Sequence, residues 1–355
     1  MLLTNLLQYK HPIQYKNKLK RLGFLDRYLT LWIFLAMALG VLIGAWIPGV
    51  SDSIDLIAYK GINIPIATGL IVMMYPPLAK VDYRTLPVVL KDKKLLSLSL
   101  ILNWVVGPLF MFFLAAYFLG DRPELMTGVV LIGLARCIAM VLVWNDLADG
   151  DSTYGAALVA LNSLFQVFTF SFYAWFFLTI LPTWIGLGSI LVDVPFTMVA
   201  TNVGIYLGIP FVLGIGGRVV LIRLKGLSWY NDTYLPRIGP LTLISLLFTI
   251  VLMFSLQGAR ILDQTSDVLL VSIPLLLYFF GMWILSYFTG VKLGVDKPRN
   301  RAVAFTAAGN NFELAIAVAI GVFGLHSSEA FVGVIGPLIE VPALLLLVQL
   351  SRRLA

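Results

Sequence analysis

Charge is scarce in this chain: Asp, Glu, Lys and Arg make up 12% of its 355 residues, while 60% are hydrophobic and the mean hydropathy is +0.94. A soluble globular domain carries about 25% charged residues, so this composition excludes a water-soluble globule and reads as an integral membrane protein. There is a single cysteine, Cys137, which excludes an intramolecular disulfide and a multi-thiol metal cage within one chain. The two histidines, His11 and His326, form no cluster. No G-x-x-x-x-G-K-[ST], H-E-x-x-H or G-x-S-x-G run occurs, which removes a P-loop for ATP coupling and disfavours a membrane-embedded hydrolase. No cofactor-binding motif is present either, and the chain is expected to be neither an enzyme nor cofactor-dependent.

What is abundant is apolar runs. A spanning helix needs roughly 20 apolar residues, and hydropathy places spans near 28–47, 61–79, 95–119, 125–145, 153–181, 196–217, 238–257, 267–289, 301–324 and 329–350. The basic segment 1–27 has no apolar core and cleavage site, so it is expected to be a cytoplasmic extension rather than a signal peptide. The net charge of +7 is explained by where the cations sit, without nucleic acid. Alternate loops collect 21 of the 25 Lys and Arg, whereas the opposite side has Lys60, Arg122 and Arg260. By the positive-inside rule both termini are expected in the cytoplasm, with an even number of spans in a prokaryotic-type plasma membrane. The loop after the fourth span departs from this pattern, carrying Asp146, Asp149 and Asp151 without a cation; acidic residues count little in the rule.

A shift of 175 residues sets Pro65 on Pro240, and DSTYGAALVAL (151–161) on HSSEAFVGVIG (326–336). The match implies two five-span halves, 28–181 and 182–355. Five is odd, so the halves lie in the membrane with opposite orientation, the plan of many secondary transporters. The same shift carries Arg136-Cys137 onto Asn311-Phe312, next to Glu313. Around these positions GLARCIAM in span 4 and AAGNNFEL in span 9 interrupt apolar stretches with residues of low helix propensity. Unwound backbone is tolerated at membrane depth where it lines a cavity. Each helix is therefore expected to break, offering half-helix ends and free backbone groups to a small polar solute.

Glu313 is the strongest single signal, because an acidic residue near mid-bilayer costs roughly 2.5 to 3.5 kcal/mol. It is either a structural ion pair with Arg136 or a proton or cation site, and the two coexist if the pair breaks during transport. Glu340 is the rival acidic residue, for packing or for coupling. Cys137 is either a small apolar packing residue or, with Arg136 beside it and the helix broken, a nucleophile and soft ligand. Asn310 and Asn311 suit hydroxyl groups, or serve as helix-to-helix hydrogen bonders. The aromatics are expected to face lipid or the interface, with Trp46, Trp144 and Trp184 in the interfacial belt. Pro65, Pro108, Pro210, Pro240, Pro274 and Pro342 are expected to kink helices at contacts.

LDRYLTLWIFLAMALGVLIG (25–44), GLARCIAMVLVWNDLADGD (133–151) and AAGNNFELAIAVAIGVFG (307–324) resemble the arsenical-resistance arsenite efflux permeases, relatives of the bile acid/sodium symporters. The resemblance runs from about Phe24 onward and is specific to the arsenite branch around Cys137. It implies an all-α fold of ten spans in two inverted repeats, with broken helices 4 and 9 crossing near the centre. It also implies export of trivalent arsenic, and in some members antimonite, in exchange for protons. The family's functional cysteine and glutamate fall on Cys137 and Glu313. Arsenite at neutral pH is mainly the uncharged trihydroxide, thiophilic enough for Cys137 and polyol-like enough for Asn310, Asn311 and backbone groups. One thiol holds and releases it, where three would trap it. The resemblance leaves open sodium-coupled uptake of an organic anion, with Glu313, Asn310 and Asn311 as cation ligands and Arg136 facing the anion. A membrane enzyme or sensor is the alternative outside transport.

Overall fold

The computed structural model describes residues 29–47, 49, 57–59, 62–81, 91–187 and 194–354. The basic segment 1–27, Lys60 and Arg84 lie outside the described residues. The described residues are helical almost throughout, apart from an antiparallel pair of two-residue strands, β1 (Ala58–Tyr59) and β2 (Ile62–Asn63). In chain order the principal helices are α1 (Leu29–Trp46), α2 (Ile64–Lys80), α3 (Lys93–Leu119), α4 (Pro123–Leu134), α5 (Met140–Leu147) and α6 (Ser152–Trp184). They continue as α7 (Phe196–Lys225), α8 (Leu235–Asp263), α9 (Thr265–Lys292), α10 (Lys297–Ala308), α11 (Phe312–Phe323) and α12 (Ser328–Arg353).

Six helices are long and apolar enough to cross a bilayer: α3, α6, α7, α9, α12 and the run from Leu227 to Gly258 that contains most of α8. Shorter apolar helices of 10–17 residues make up most of α1 together with α2, α4 and α11. Polarity is inside out. Phe168, Val212 and Leu269 are 75%, 67% and 64% exposed, whereas Asn103, Arg136, Asn162 and Gln166 are buried. Apolar side chains turned outward, with the polar ones kept inside an otherwise apolar core, are what a hydrocarbon solvent selects, and the chain is a multi-pass membrane protein.

Helix starts are set by local chemistry. Asn63, Asp92, Asp151, Asp296, Asn311 and Ser327 each accept a backbone N–H of the first turn of the helix they precede. The sequence match between 151–161 and 326–336 thus marks two capped helix starts. Prolines act in two ways. Pro65 sits in the first turn of α2, where its missing N–H is harmless, so it makes no kink there, unlike Pro240 inside α8. Pro108, Pro182, Pro210 and Pro236 each lie two residues beyond a π-helical turn, at Leu102–Val106, Phe176–Ile180, Gly204–Gly208 and Tyr230–Tyr234. A ring that lacks the donor and crowds the carbonyl four residues earlier accounts for the widened turn.

The helices pack in two groups. In the first, α8 lies on α1 and α2, and α7 lies on α2. Gly44 and Gly258 bring the backbones of α1 and α8 together: a Cβ on either would collide with the carbonyl of Ser255 or Val41. In the second, α9 packs on α3, α10 and α12, α4 on α3 and α12, α11 on α12, and α6 on α10. The groups meet where α7 touches α6 and α11 and where α8 touches α12.

Trp46 and Trp184 are exposed at helix ends, as an interfacial belt requires. Trp144 is not: it is 1% exposed, inside the second group. Several other aromatics are equally internal, among them Tyr278, Phe279 and Trp283; the expectation of a mostly lipid-facing aromatic set is corrected to that extent, because these rings fill the space between α9 and its neighbours.

Candidate functional site

Both expected breaks are present. After α4 the chain extends at Ala135 (φ −88°, ψ 121°) and resumes a helix only at Met140. After α10 it extends at Gly309 (φ −77°, ψ 141°) and restarts at Phe312. The two extended segments pair antiparallel across Arg136 and Asn310. Asn311 N donates to Ala135 O at 3.0 Å and Cys137 N to Gly309 O at 3.4 Å. Asn310 Nδ2 donates to Ile132 O at 2.8 Å and to Ala135 O at 3.1 Å, a second donor for each carbonyl beside Ala135 N and Asn311 N.

The crossing places two helix C-termini, of α4 and α10, against two N-termini, of α5 and α11. Arg136 serves the C-termini. Its side chain is fully buried, and its guanidinium donates to Gly133 O, to Ala307 O at 3.3 Å and to Tyr278 Oη at 2.7 Å. Its backbone N–H donates to Gln166 Oε1. A helix C-terminus carries roughly half a negative charge, so two of them offset one guanidinium at a depth where an unpaired cation is costly.

That arrangement decides the expected ion pair. Among the described residues the ion pairs are Arg122–Asp267, Arg299–Asp92, Arg299–Asp296 and Arg352–Asp149, and none joins Arg136 to Glu313. The guanidinium is satisfied instead by two carbonyls of its own crossing and the Tyr278 hydroxyl.

The N-termini carry the other candidates. α5 has no side-chain cap at Ala139, and the Cys137 Sγ stands in that role, accepting from Val141 N at 3.3 Å. Asn311 Oδ1 caps α11 by accepting from Leu314 N at 3.0 Å, and Glu313 lies in the first turn of that helix, partly exposed. Glu340, from the middle of α12, is 5% exposed and its Oε1 accepts from Asn310 N at 3.2 Å. A Cβ built on Gly309 would lie 3.3 Å from Cys137 Cβ and 3.7 Å from Glu340 Oε1. Glu313 follows Asn311 by two residues, and Glu340 reaches the same extended segment through Asn310. The six sequence candidates are therefore one cluster.

Two members escaped the sequence reading, and a third, Gly309, was read there only as a helix breaker. Gln166 and Tyr278 bind Arg136, and Gly309 leaves room beside the thiol. Gln166 was visible as one of two amides, with Asn162, in an apolar span; Tyr278 gave no signal apart from its ring. Around the crossing Asn310 Oδ1, Asn311 Nδ2 and Gln166 Nε2 are buried without a hydrogen-bond partner among the described residues, so donors and an acceptor remain for a polar guest.

Comparison with known proteins agrees with the geometry. Residues 67–264 match the Sodium Bile acid symporter family. The chain is 50% identical over 335 residues to the arsenical-resistance protein Acr3 of Corynebacterium glutamicum, covering 94% of this chain and 90% of that one. It is 32% identical over 346 residues to the protein of the same name from Alkaliphilus metalliredigens, covering 94% of each. It is also 32% identical over 353 residues to the uncharacterized transporter slr0944 of Synechocystis, covering 94% of this chain and 90% of that protein. With a family match over more than half of its length and these full-length relatives, the chain belongs to the sodium bile acid symporter family, in its arsenical-resistance branch.

Proposed function

We propose that this protein is a secondary transporter that exports arsenite, and by the same chemistry antimonite, from the cytoplasm in exchange for protons. The observation that carries the reading is the lone thiol at the start of α5, which it caps, beside Glu340 and Gly309, in a chain whose relatives are named for arsenical resistance. The trihydroxide exchanges one hydroxyl for sulfur: the As–S bond forms, an As–O bond breaks, and the hydroxyl leaves as water with the thiol proton. The two remaining hydroxyls meet Asn310 Oδ1, Asn311 Nδ2 and Gln166 Nε2, which lack partners of their own. Addition of water reverses the step, so one thiol binds and releases without an energy source of its own.

Moving a neutral solute against its gradient needs a coupled ion. Glu313, in the first turn of α11 and without a cationic partner among the described residues, is the group for it. Protonation from outside admits the return to the inward state, and loss of the proton to the cytoplasm accompanies arsenite binding at Cys137. Glu340 holds the extended segment through Asn310. Arg136 fixes the crossing from behind rather than binding solute.

The reading includes ten spans in two inverted five-span repeats, 28–181 and 182–355, in the plasma membrane with both termini cytoplasmic. It is supported by the order of elements: α3, the α4/α5 pair and α6 recur as α9, the α10/α11 pair and α12, at shifts close to the 175 residues of the internal match. Sodium-coupled uptake of an organic anion is the second reading, favoured by the family match at 67–264.

Everted membrane vesicles separate the two. Under an imposed pH gradient the native chain is expected to accumulate arsenite. Absence of arsenite uptake together with sodium-dependent uptake of a bile acid would replace the first reading with the second.

A further inference from the structure

Two side chains of α8 reach across to the loop between α11 and α12. Gln257 Nε2 donates to Leu325 O at 2.7 Å. One turn further on, Arg260 donates from Nη1 to His326 O at 3.0 Å and Ser327 O at 3.1 Å, and from Nη2 to Ser328 Oγ at 2.8 Å. Its Nε is held by Gln264 Oε1 at 2.7 Å, and its Cζ lies 4.7 Å from the centre of the Phe331 ring. Between described residues, these are all the side-chain hydrogen bonds that join the α1, α2, α7 and α8 group to the group carrying the crossing.

The acceptors explain the choice of residue. α11 ends at Gly324, with φ +96°, and Leu325 and His326 present their carbonyls just beyond that terminus. A guanidinium there completes several acceptors at once and meets the negative end of the helix dipole. Arg260 is also one of three basic residues on the side that the charge pattern makes external, a side otherwise cleared of them. Beneath it Met253, Leu256, Ile316, Ile320 and Val334 close an apolar seam between α8 and the α11–α12 pair. The far end of α11 bears Asn311 and Glu313, about 18 Å away along a 12-residue helix. A displacement of its outer end relative to α8 is therefore carried as a rigid movement to the crossing.

We propose that Arg260, with Gln257, is the external latch of the transport cycle: it holds the α11–α12 loop on α8 while the crossing is closed to the outside, and its release opens the crossing outward. The inference rests on the transporter reading and assigns Arg260 a positioning role, since it touches none of the crossing residues.

Cys137 is the sole cysteine and so a built-in reporter. Its labelling by a membrane-impermeant maleimide is compared from outside, in intact cells, and from the cytoplasmic face, in everted vesicles. Arg260→Ala is expected to raise outside labelling roughly tenfold and to lower labelling from the cytoplasmic face, as a population shift requires, with Arg260→Lys between it and the native chain. A merely loosened protein would label faster from both faces, and that result, or unchanged labelling at native abundance, overturns the latch. If Arg260→Ala does not reach the membrane, Gln257→Met carries the same comparison with the same two readings. Failure of the transporter reading is separate: native vesicles would then accumulate no arsenite, whatever the labelling pattern.

Discussion

Arg136 offers the sharpest separation between a substrate ligand and a scaffold. Replacing it with methionine keeps the length of the side chain and removes the guanidinium that donates to Gly133 O, Ala307 O and Tyr278 Oη. Ala307 O keeps the Tyr278 hydroxyl as a donor at 3.4 Å, so two groups, Gly133 O and Tyr278 Oη, lose a partner, and at about 1 to 3 kcal/mol for each the loss is about 2 to 6 kcal/mol. That is a large share of a total stability of about 5 to 15 kcal/mol. Arg136→Met is accordingly expected to accumulate poorly and to denature roughly 10 °C lower in detergent, measured by the loss of the monodisperse peak on size-exclusion chromatography after heating. Arg136→Lys keeps the charge but not the fork of donors and is expected to fall between. If Arg136→Met instead matched the native midpoint and abundance while losing only arsenite transport, the scaffold role would be refuted and Arg136 would return to the solute, as the sequence alone suggested.

Cys137→Ala is expected to keep native abundance, because only the Val141 N–H loses its acceptor, and to abolish arsenite accumulation in vesicles. Glu313→Gln should retain arsenite binding but lose the response to an imposed pH gradient; accumulation still driven by that gradient would remove Glu313 from coupling. Gly309→Ala has an allowed backbone conformation yet sets a methyl 3.3 Å from Cys137 Cβ, so a transport rate lowered several-fold with an unchanged denaturation midpoint is expected, and native transport would show that the thiol does not need that space.

Much of this was legible because membranes constrain sequence strongly. The apolar runs mark the helices to within a few residues at most ends, since no water is available to satisfy an exposed backbone. The breaks were legible too: GNN at 309–311 cannot hold a helix as well as its flanks, and Arg136 is too costly at depth to be incidental. Partner choice was not. Whether Arg136 faces Glu313 or the carbonyls behind it depends on the register of two segments about 175 residues apart, which spacing does not encode. The burial of Trp144 and Tyr278 was hidden for a similar reason, because an aromatic ring in an apolar helix suits lipid and protein equally. The Arg260 contacts could not be read either, since their acceptors are main-chain carbonyls, which every sequence possesses.

The central claim is that one thiol at the helix crossing takes arsenic directly. Arsenic X-ray absorption on the purified native protein loaded with arsenite tests it without relying on transport. The account expects one sulfur and two oxygens around arsenic, with the sulfur contribution absent in Cys137→Ala. Three oxygens and no sulfur in the native protein would contradict it and leave Cys137 as the cap of α5 alone.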